Sequence, residues 1–212
     1  MTANIEATIR EVSDAVVIVN NGFKPMKDVA QDLLDEHNHE FIAFLADALY
    51  ASEHHQVRMV AVFLYGSLAN ESETVLRYLK EVVSQDVNWR VQEILAMAFD
   101  QFCSDRTYVL AIPTIEEWLN SNIANVRRAV TEGLRVWTSR PYFKDNPQIA
   151  VAYLSKMRSD SSEYVRKSVG NALRDISKKH AELIISEVRT WDLTDESVRH
   201  VYKHVNRNNL IA

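Results

Sequence analysis

The sequence predicts an all-α protein, an α-α superhelix (solenoid) built from repeated helical hairpins. The first observation is a Val that recurs every 33 to 39 residues, each time at the start of an amphipathic run: Val57, Val91, Val126, Val165 and Val198. The second is another amphipathic run before each Val, such as FIAFLADALYA. The third is composition, because only 4 Gly and 4 Pro among 212 residues, with 47% hydrophobic residues, suit nearly continuous helix.

The spacing also sets the elements along the chain. It matches HEAT-like repeats, in which two helices and their turns occupy roughly 35 to 45 residues. Two N-terminal helices are expected first, over 3–19 and 26–37, separated by the Asn-Gly and Pro turn signals of NNGFKP. Five hairpins follow, over 41–69, 72–103, 107–138, 147–180 and 181–206. No low-complexity segment or linker divides them, so we expect a single domain over 1–212.

Two details interrupt the regular pattern. Pro113 falls in the first helix of the third hairpin, where its missing backbone donor and its clash with the preceding turn are expected to break or kink the helix. The connection from Ser139 to Pro147 is the longest and explains the 39-residue interval between Val126 and Val165. It is the one loop expected to make contacts of its own.

Charge and composition narrow the class of protein. Residues 1–120 hold 8 Lys and Arg against 19 Asp and Glu, whereas residues 121–212 hold 16 against 10. A basic C-terminal part can mark a surface for an anionic ligand, although ordinary solvated helix faces give the same pattern. No run of about 18 apolar residues could span a bilayer and no signal peptide is recognisable, so we expect a cytoplasmic protein. The single Cys103 excludes an intramolecular disulfide and a multi-Cys zinc site.

One face of the second helices carries the residues that could perform chemistry. Positions four apart lie above one another on a helix, so aligning the repeats on their Val places a polar column on that face. Its middle part contains Trp89, Glu93, Arg128, Glu132, Lys167, Asn171 and Asp175. The residue directly after the Val is Arg in four repeats but Gln92 in the second. We interpret this break as local specialisation for function, with ordinary repeat drift and a solvated face as the alternatives.

At these residues the chain resembles the HEAT-like DNA alkylation repair glycosylases of the AlkC and AlkD type. NVRRAVTEGLR and YVRKSVGNALRDISKKH are similar to the paired AlkC signatures, which place carboxylates at the positions of Glu132 and Asp175. NWRVQE resembles the AlkD segment in which a Trp precedes the catalytic Asp by four residues, and the corresponding residues here are Trp89 and Glu93. Arg128 matches an AlkD arginine that contacts the DNA backbone.

The resemblance covers most of the chain, strongly from about 120 to 192, and departs from the family pattern at several positions. The second AlkD aromatic falls on Asn171, and the acid of the second repeat is Glu93 in place of Asp. The AlkC Pro-Arg-Leu-Pro-Trp run is replaced by VWTSRPYF, which leaves Trp137 or Tyr142 as the aromatic substitute. The fold and a DNA-facing surface therefore follow more directly from the resemblance than a particular lesion does.

The resemblance implies excision of positively charged N-alkylated bases, such as 3-methyladenine, from duplex DNA with little or no base flipping. Such bases leave readily, so the enzyme has mainly to stabilise the oxocarbenium ion and position a water, which a preorganised carboxylate can do. The catalytic candidates are Glu93, Glu132 and Asp175, and the DNA-binding candidates are Trp89, Arg128, Lys167, Asn171 and Arg135. No metal or other cofactor is expected, and the protein is expected to act as a monomer.

Two other functions stay open at this point. A protein of the same fold could bind DNA structures without catalysis, if the altered aromatics have removed the contacts to the lesion. It could also be a HEAT-repeat scaffold for other proteins, which is a common use of solenoids. A basic inner face favours nucleic acid, whereas an apolar exposed groove would favour protein.

Overall fold

All regular structure in the described part of the chain is helical. The computed structural model describes the backbone of residues 2–208 and the side chains of residues 5–207. Its α-helices are α1 (Thr2–Val16), α2 (Lys24–Glu36), α3 (His39–Tyr50), α4 (His55–Leu68), α5 (Glu73–Glu81), α6 (Trp89–Asp105), α7 (Tyr108–Leu119), α8 (Ala124–Trp137), α9 (Pro147–Lys156), α10 (Glu163–Ser177), α11 (Ala181–Val188) and α12 (Glu196–Val205). The predicted all-α class is therefore confirmed.

The contacts among these helices divide the chain into two compact units. The N-terminal unit ends at Arg106 and contains α1–α6, and the C-terminal unit begins at Thr107 and contains α7–α12. Within the N-terminal unit, α4 packs against α2, α3 and α6. Within the C-terminal unit, α10 packs against α8 and α12. The second helix of a hairpin is thus the central packing element of each unit. The single domain expected over 1–212 stays a prediction.

The recurring Val lies in the core of the helix pairs, as its position at the start of each amphipathic run predicts. Val57, Val91, Val126 and Val165 are fully buried, and Val198 is 4% exposed. Each lies in the first turn of a second helix, where the chain turns back onto the preceding helix. The repeat therefore reflects a packing requirement that recurs in every hairpin.

The helix α7 continues through Pro113, so of the two predicted effects, a break or a kink, the break does not occur and the kink stays a prediction. It extends from Tyr108 to Leu119 without interruption. Proline removes one hydrogen bond from the helix interior. Ala111, Ile115 and Trp118 are buried along one side of α7, and this packing holds the helix together despite the lost bond.

The long connection after α8 makes contacts of its own, as predicted. Phe143 is fully buried and stacks on Trp137 with the ring centroids 5.6 Å apart, and Tyr108 packs against both rings. A Cβ added to Gly133 would lie only 2.4 Å from the Trp137 ring, so this glycine is required by the indole. Trp137 is a core residue of the C-terminal unit, so of the two aromatic substitutes that the sequence left open, Trp137 or Tyr142, the first is excluded.

Candidate functional site

The residue after each repeat Val closes the loop in front of its own helix. In all five repeats the side chain donates a hydrogen bond of 2.6 to 3.4 Å to the carbonyl six residues earlier: Arg58 to Ser52, Gln92 to Asp86, Arg127 to Ser121, Arg166 to Asp160 and Arg199 to Leu193. The amide of Gln92 thus makes the same bond as the four guanidinium groups. The substitution therefore preserves the loop, which favours ordinary repeat drift as the reason for Gln92, and functional specialisation at this position stays a prediction.

Two of these arginines also form buried ion pairs. Arg58 donates to the Asp86 carboxylate from Nε at 2.8 Å and from Nη2 at 2.9 Å, and Arg127 donates to Asp160 from the same two atoms at 2.7 Å each. The arginine side chains are 11% exposed, and the aspartates are 4% and 5% exposed. Two parallel bonds fix both position and orientation. The first pair holds the loop before α6, and the second holds the loop before α10.

The electrostatics of Asp86 show that this carboxylate has a structural role. Burial raises its pKa, but hydrogen bonds from Arg58, from the backbone N–H of Asn88 and from the Tyr50 hydroxyl outweigh burial and leave the pKa below its usual range. Asp86 is thus held ionised by its neighbours. Its bonds to the chain immediately before α6 orient the start of that helix.

The segment held in this way presents an aromatic ring and a carboxylate. The Asn88 side chain caps α6 by accepting a hydrogen bond from the backbone N–H of Arg90 at 2.9 Å. Trp89 is the first residue of α6 and is 51% exposed, with the Arg90 guanidinium 4.4 Å from the centre of its ring. Glu93 is half-buried one turn later on the same side of the helix. Trp89 and Glu93 thus lie one turn apart on α6, within the N-terminal unit.

Glu132 and Asp175 lie close together in the C-terminal unit, where Arg135 joins them. Arg135 Nε donates to the Asp175 carboxylate, and its Nη1 is 3.5 Å from Glu132 Oε2. Lys178 Nζ donates to Asp175 at 2.7 Å, and the Ser168 hydroxyl donates to Glu132 at 2.8 Å. The Asp175 side chain is 16% exposed and the Glu132 side chain is 24% exposed. Their negative charge is therefore largely balanced by cations within the unit.

The surface around this ion-pair cluster is a shallow charged pocket. Burial raises the pKa of Asp175, but hydrogen bonds from Lys178 and Arg135 outweigh burial and keep the pKa below its usual range. A pocket of about 310 Å³ adjoins the cluster and is lined in part by Arg135, Asp175, Ile176 and Lys179. A carboxylate already paired with two cations exerts a weaker field on a developing cation than the same carboxylate would alone. The exposed cations instead suit contact with an anionic backbone.

The remaining DNA-binding candidates also lie on α8 and α10. The Arg128 guanidinium is 4.2 Å from the centre of the Tyr164 ring, so the two packed helices hold this cation in a defined position. Lys167 is exposed, and Asn171 is half-buried one turn further along α10. Arg128, Lys167, Asn171 and Arg135 thus belong to the C-terminal unit, whereas Trp89 belongs to the N-terminal unit.

The ion pairs made by Asp86 and Asp160 were not predicted from the sequence. A signal was available, because an Asp stands five residues before Val91 and again before Val165.

Among the described residues, no group of three or more His, Cys, Asp or Glu side chains is arranged to hold a metal ion. No helix in the same part of the chain is both long and apolar enough to cross a membrane.

Comparison with known proteins identifies the family. The profile of the DNA alkylation repair enzyme family matches residues 22–186. The crystal structure of AlkD2 from Streptococcus mutans is similar at 44% identity and a TM-score of 0.92, over 96% of this chain and 98% of that chain.

Two more distant relatives are informative about the fold and about length. The AlkC alkylpurine DNA glycosylase of Pseudomonas fluorescens, solved with DNA containing an abasic site analog, shares the fold with a TM-score of 0.65 at 20% identity, over 99% of this chain and 63% of that chain. YhaZ of Bacillus subtilis (strain 168) is 37% identical over 94 residues, which is 42% of this chain and 26% of YhaZ.

The profile match over most of the chain confirms the resemblance seen in the sequence, and the chain belongs to the DNA alkylation repair enzyme family.

Proposed function

We propose that the protein is a DNA glycosylase that excises positively charged N-alkylated bases, such as 3-methyladenine, from duplex DNA. The observation that carries the proposal is the exposed Trp89 followed one turn later by Glu93 at the start of α6. The buried pair of Arg58 and Asp86 fixes this segment before any ligand arrives. Preorganisation of this kind is what electrostatic catalysis requires, because the groups need not reorganise during the reaction.

The proposed chemistry places most of the demand on one carboxylate. An N-alkylated base carries a positive charge, so its glycosidic bond breaks with the bonding electrons passing to the base, which leaves neutral. The deoxyribose becomes an oxocarbenium ion, which the Glu93 carboxylate stabilises. A water then adds to the sugar carbon and gives its proton to Glu93. Trp89 packs against the deoxyribose and keeps this centre beside the carboxylate.

The C-terminal unit has a different part in this proposal. Arg135 and Lys178 offset the charge of Asp175, and Arg135 also approaches Glu132. These two carboxylates are therefore assigned to positioning Arg135 rather than to stabilising the reacting sugar. Arg135, with Arg128, Lys167 and Asn171, contacts the phosphate backbone of the duplex, where cations supply most sequence-independent affinity.

Release of a methylated base tests the proposed reaction. Duplex DNA treated with a methylating agent is incubated with the protein, and freed bases are separated by chromatography. We expect 3-methyladenine to accumulate with time and in proportion to protein concentration. The same DNA without protein measures spontaneous depurination, and release no faster than in that control would contradict the glycosylase proposal.

A second candidate function is binding of DNA without excision. The observation that favours it is the neutralised pair of carboxylates in the C-terminal unit, together with Asn171 where the family pattern has an aromatic residue. In that case the protein would bind duplex DNA with a steep dependence on salt but release no base. A protein that neither binds duplex DNA nor releases bases would instead fit a scaffold for other proteins.

A further inference from the structure

Val87 is an apolar residue left in solvent at the tip of the loop before α6. It is 97% exposed, and Trp89 beside it is 51% exposed. An apolar residue immediately before a helix cap usually packs against the fourth helical residue. Here that residue is Gln92, whose side chain is bound to the Asp86 carbonyl. Val87 therefore has no staple contact to make and contributes little to the start of α6.

The other repeats do not place an apolar residue at this position. The residues four before the repeat Val are Glu53, Val87, Asn122, Ser161 and Thr194, so four of the five are polar. All five loops are closed by the same side-chain bond to the carbonyl six residues before the donor. Because the loop is the same with a polar residue at its tip, the fold does not explain the choice of valine in the second repeat.

The tip is also held in place before it meets a ligand. The Asp86 carboxylate is fixed by Arg58 and accepts a bond from the backbone N–H of Asn88 at 2.8 Å. Val87 lies between these two anchored residues. A group that is already immobilised loses little conformational entropy on binding, so even a small apolar contact at this tip contributes to affinity.

The overall charge of the N-terminal unit favours an apolar contact over a phosphate contact at the tip, where the Arg90 guanidinium beside Trp89 is a local exception. The N-terminal unit holds 8 Lys and Arg against 17 Asp and Glu, so its overall field repels an anionic backbone. Exposed valine and indole groups instead suit the apolar faces of bases and sugars. Proteins that bind the minor groove insert such apolar wedges where base steps separate.

We propose that Val87 is a wedge that, together with Trp89, packs against bases whose stacking has been interrupted, as at an abasic position in a duplex. This inference rests on the proposed function, since both require binding to duplex DNA. An intact stack leaves no apolar base face open to Val87, whereas a missing base exposes the faces of its two neighbours. The wedge therefore predicts a preference for interrupted duplexes over intact ones of the same sequence.

Tryptophan fluorescence tests where the DNA lies. Trp89 is 51% exposed, whereas Trp118, Trp137 and Trp191 are 1%, 0% and 6% exposed. Acrylamide should therefore quench mainly Trp89, and Trp89→Phe should remove most of the quenchable emission. A duplex with one tetrahydrofuran abasic-site analogue should protect that emission. Binding of this duplex with Trp89 still open to acrylamide would overturn the wedge.

Affinity measurements with Val87→Ser supply the second test. Because Val87 is almost fully exposed, this variant should fold normally. Loss of a partly buried valine contact should weaken binding of the abasic duplex about fivefold and leave the intact duplex unchanged. Val87→Ile should retain the preference. Val109→Ser replaces another exposed valine, on α7 and 51% exposed, and serves as the control.

The outcomes separate this inference from the function on which it rests. Equal binding of both duplexes by the unmodified protein, or no effect of Val87→Ser, would overturn the wedge and leave the glycosylase proposal standing. Failure to bind either duplex would overturn both. Base release that persists in Val87→Ser, with the abasic preference lost, would support the wedge as a recognition element.

Discussion

The two units of the molecule build the same support in front of a second helix. Asp86 before α6 and Asp160 before α10 each receive two hydrogen bonds from an arginine of the preceding repeat, Arg58 and Arg127. In both cases the aspartate also accepts a backbone N–H two residues later. Buried, oriented contacts of this kind tolerate little change, so the buried side of the loop before α6 matches that of the loop before α10.

The surface positions that follow this shared support differ in charge. The comparison is between α6, with Val91, and α10, with Val165. Two residues before the Val, α6 has Trp89 and α10 has Glu163. Two residues after the Val, α6 has Glu93 and α10 has Lys167. The repeat thus constrains the packed side of the helix and leaves the exposed side free to specialise. In our account the N-terminal unit performs chemistry and the C-terminal unit holds the phosphate backbone.

Removing the shared arginine should have the largest effect and should be equal in the two units. Arg58→Ala and Arg127→Ala each leave a buried carboxylate without its partner, which should lower the free energy of unfolding by about 3 kcal/mol. Urea unfolding followed by circular dichroism measures the change. Arg199→Ala removes an exposed arginine with one 3.4 Å bond and serves as the control, expected to cost less than about 0.5 kcal/mol. Ion-pair variants as mild as this control would contradict the shared support.

Removing cations from the C-terminal unit should weaken DNA binding without selecting among sequences. The double variant Arg128→Ala with Lys167→Ala should lower affinity for every duplex about tenfold and make the salt dependence less steep by about two counterions. Fluorescence anisotropy with labelled duplexes at several salt concentrations measures both quantities. Arg77→Ala with Arg106→Ala removes two exposed cations of the N-terminal unit as the control. A larger loss in that control would reverse the assignment of the phosphate contacts.

The smallest expected effect concerns the link between Arg135 and Asp175. Arg135 is 43% exposed, so Arg135→Ala should lower the free energy of unfolding by less than about 1 kcal/mol at neutral pH. It should also raise the pKa of Asp175 towards its usual range. A depressed folded pKa stabilises the protein above the unfolded value of about 3.9, and this contribution is lost as pH falls through the folded value.

The difference between Arg135→Ala and the unmodified protein should therefore shrink in acid. Urea unfolding at neutral pH and at about pH 3 provides the comparison. Lys178→Ala, which removes the other cation bound to Asp175, should behave in the same direction. A difference that grows as pH falls would show that Asp175 does not carry the effect.

The sequence was sufficient for the parts of the fold that depend on helical periodicity. Buried positions such as Val91 and Val165 recur at intervals of 33 to 39 residues, because each second helix buries the same position of its first turn. The exposed Trp89 and the local order of Trp89 and Glu93 could also be predicted, since both lie on one helix. Pro113 was a harder case, because the packing of α7 outweighs the local preference of proline.

The contacts that the sequence did not predict join residues far apart in the chain. Asp86 lies 28 residues after Arg58, and Asp160 lies 33 residues after Arg127, so neither pair follows from the pattern of one helix. Arg135 reaches Asp175 across 40 residues in the same way. The structural equivalence of Gln92 to arginine was not predicted for a related reason, because it depends on a backbone carbonyl whose position the sequence does not reveal.

If the N-terminal unit performs the chemistry, as we propose, single-turnover excision from methylated duplex DNA should depend on Glu93. Glu93→Gln keeps the shape of the side chain and removes its charge, so 3-methyladenine release should slow by about 100-fold while duplex affinity stays unchanged. Glu132→Gln and Asp175→Asn, measured in parallel, should each slow release by less than about tenfold, because Arg135 and Lys178 already balance their charge. Release that survives in Glu93→Gln but is lost in either of the other two variants would contradict the account and move the reaction to the C-terminal unit.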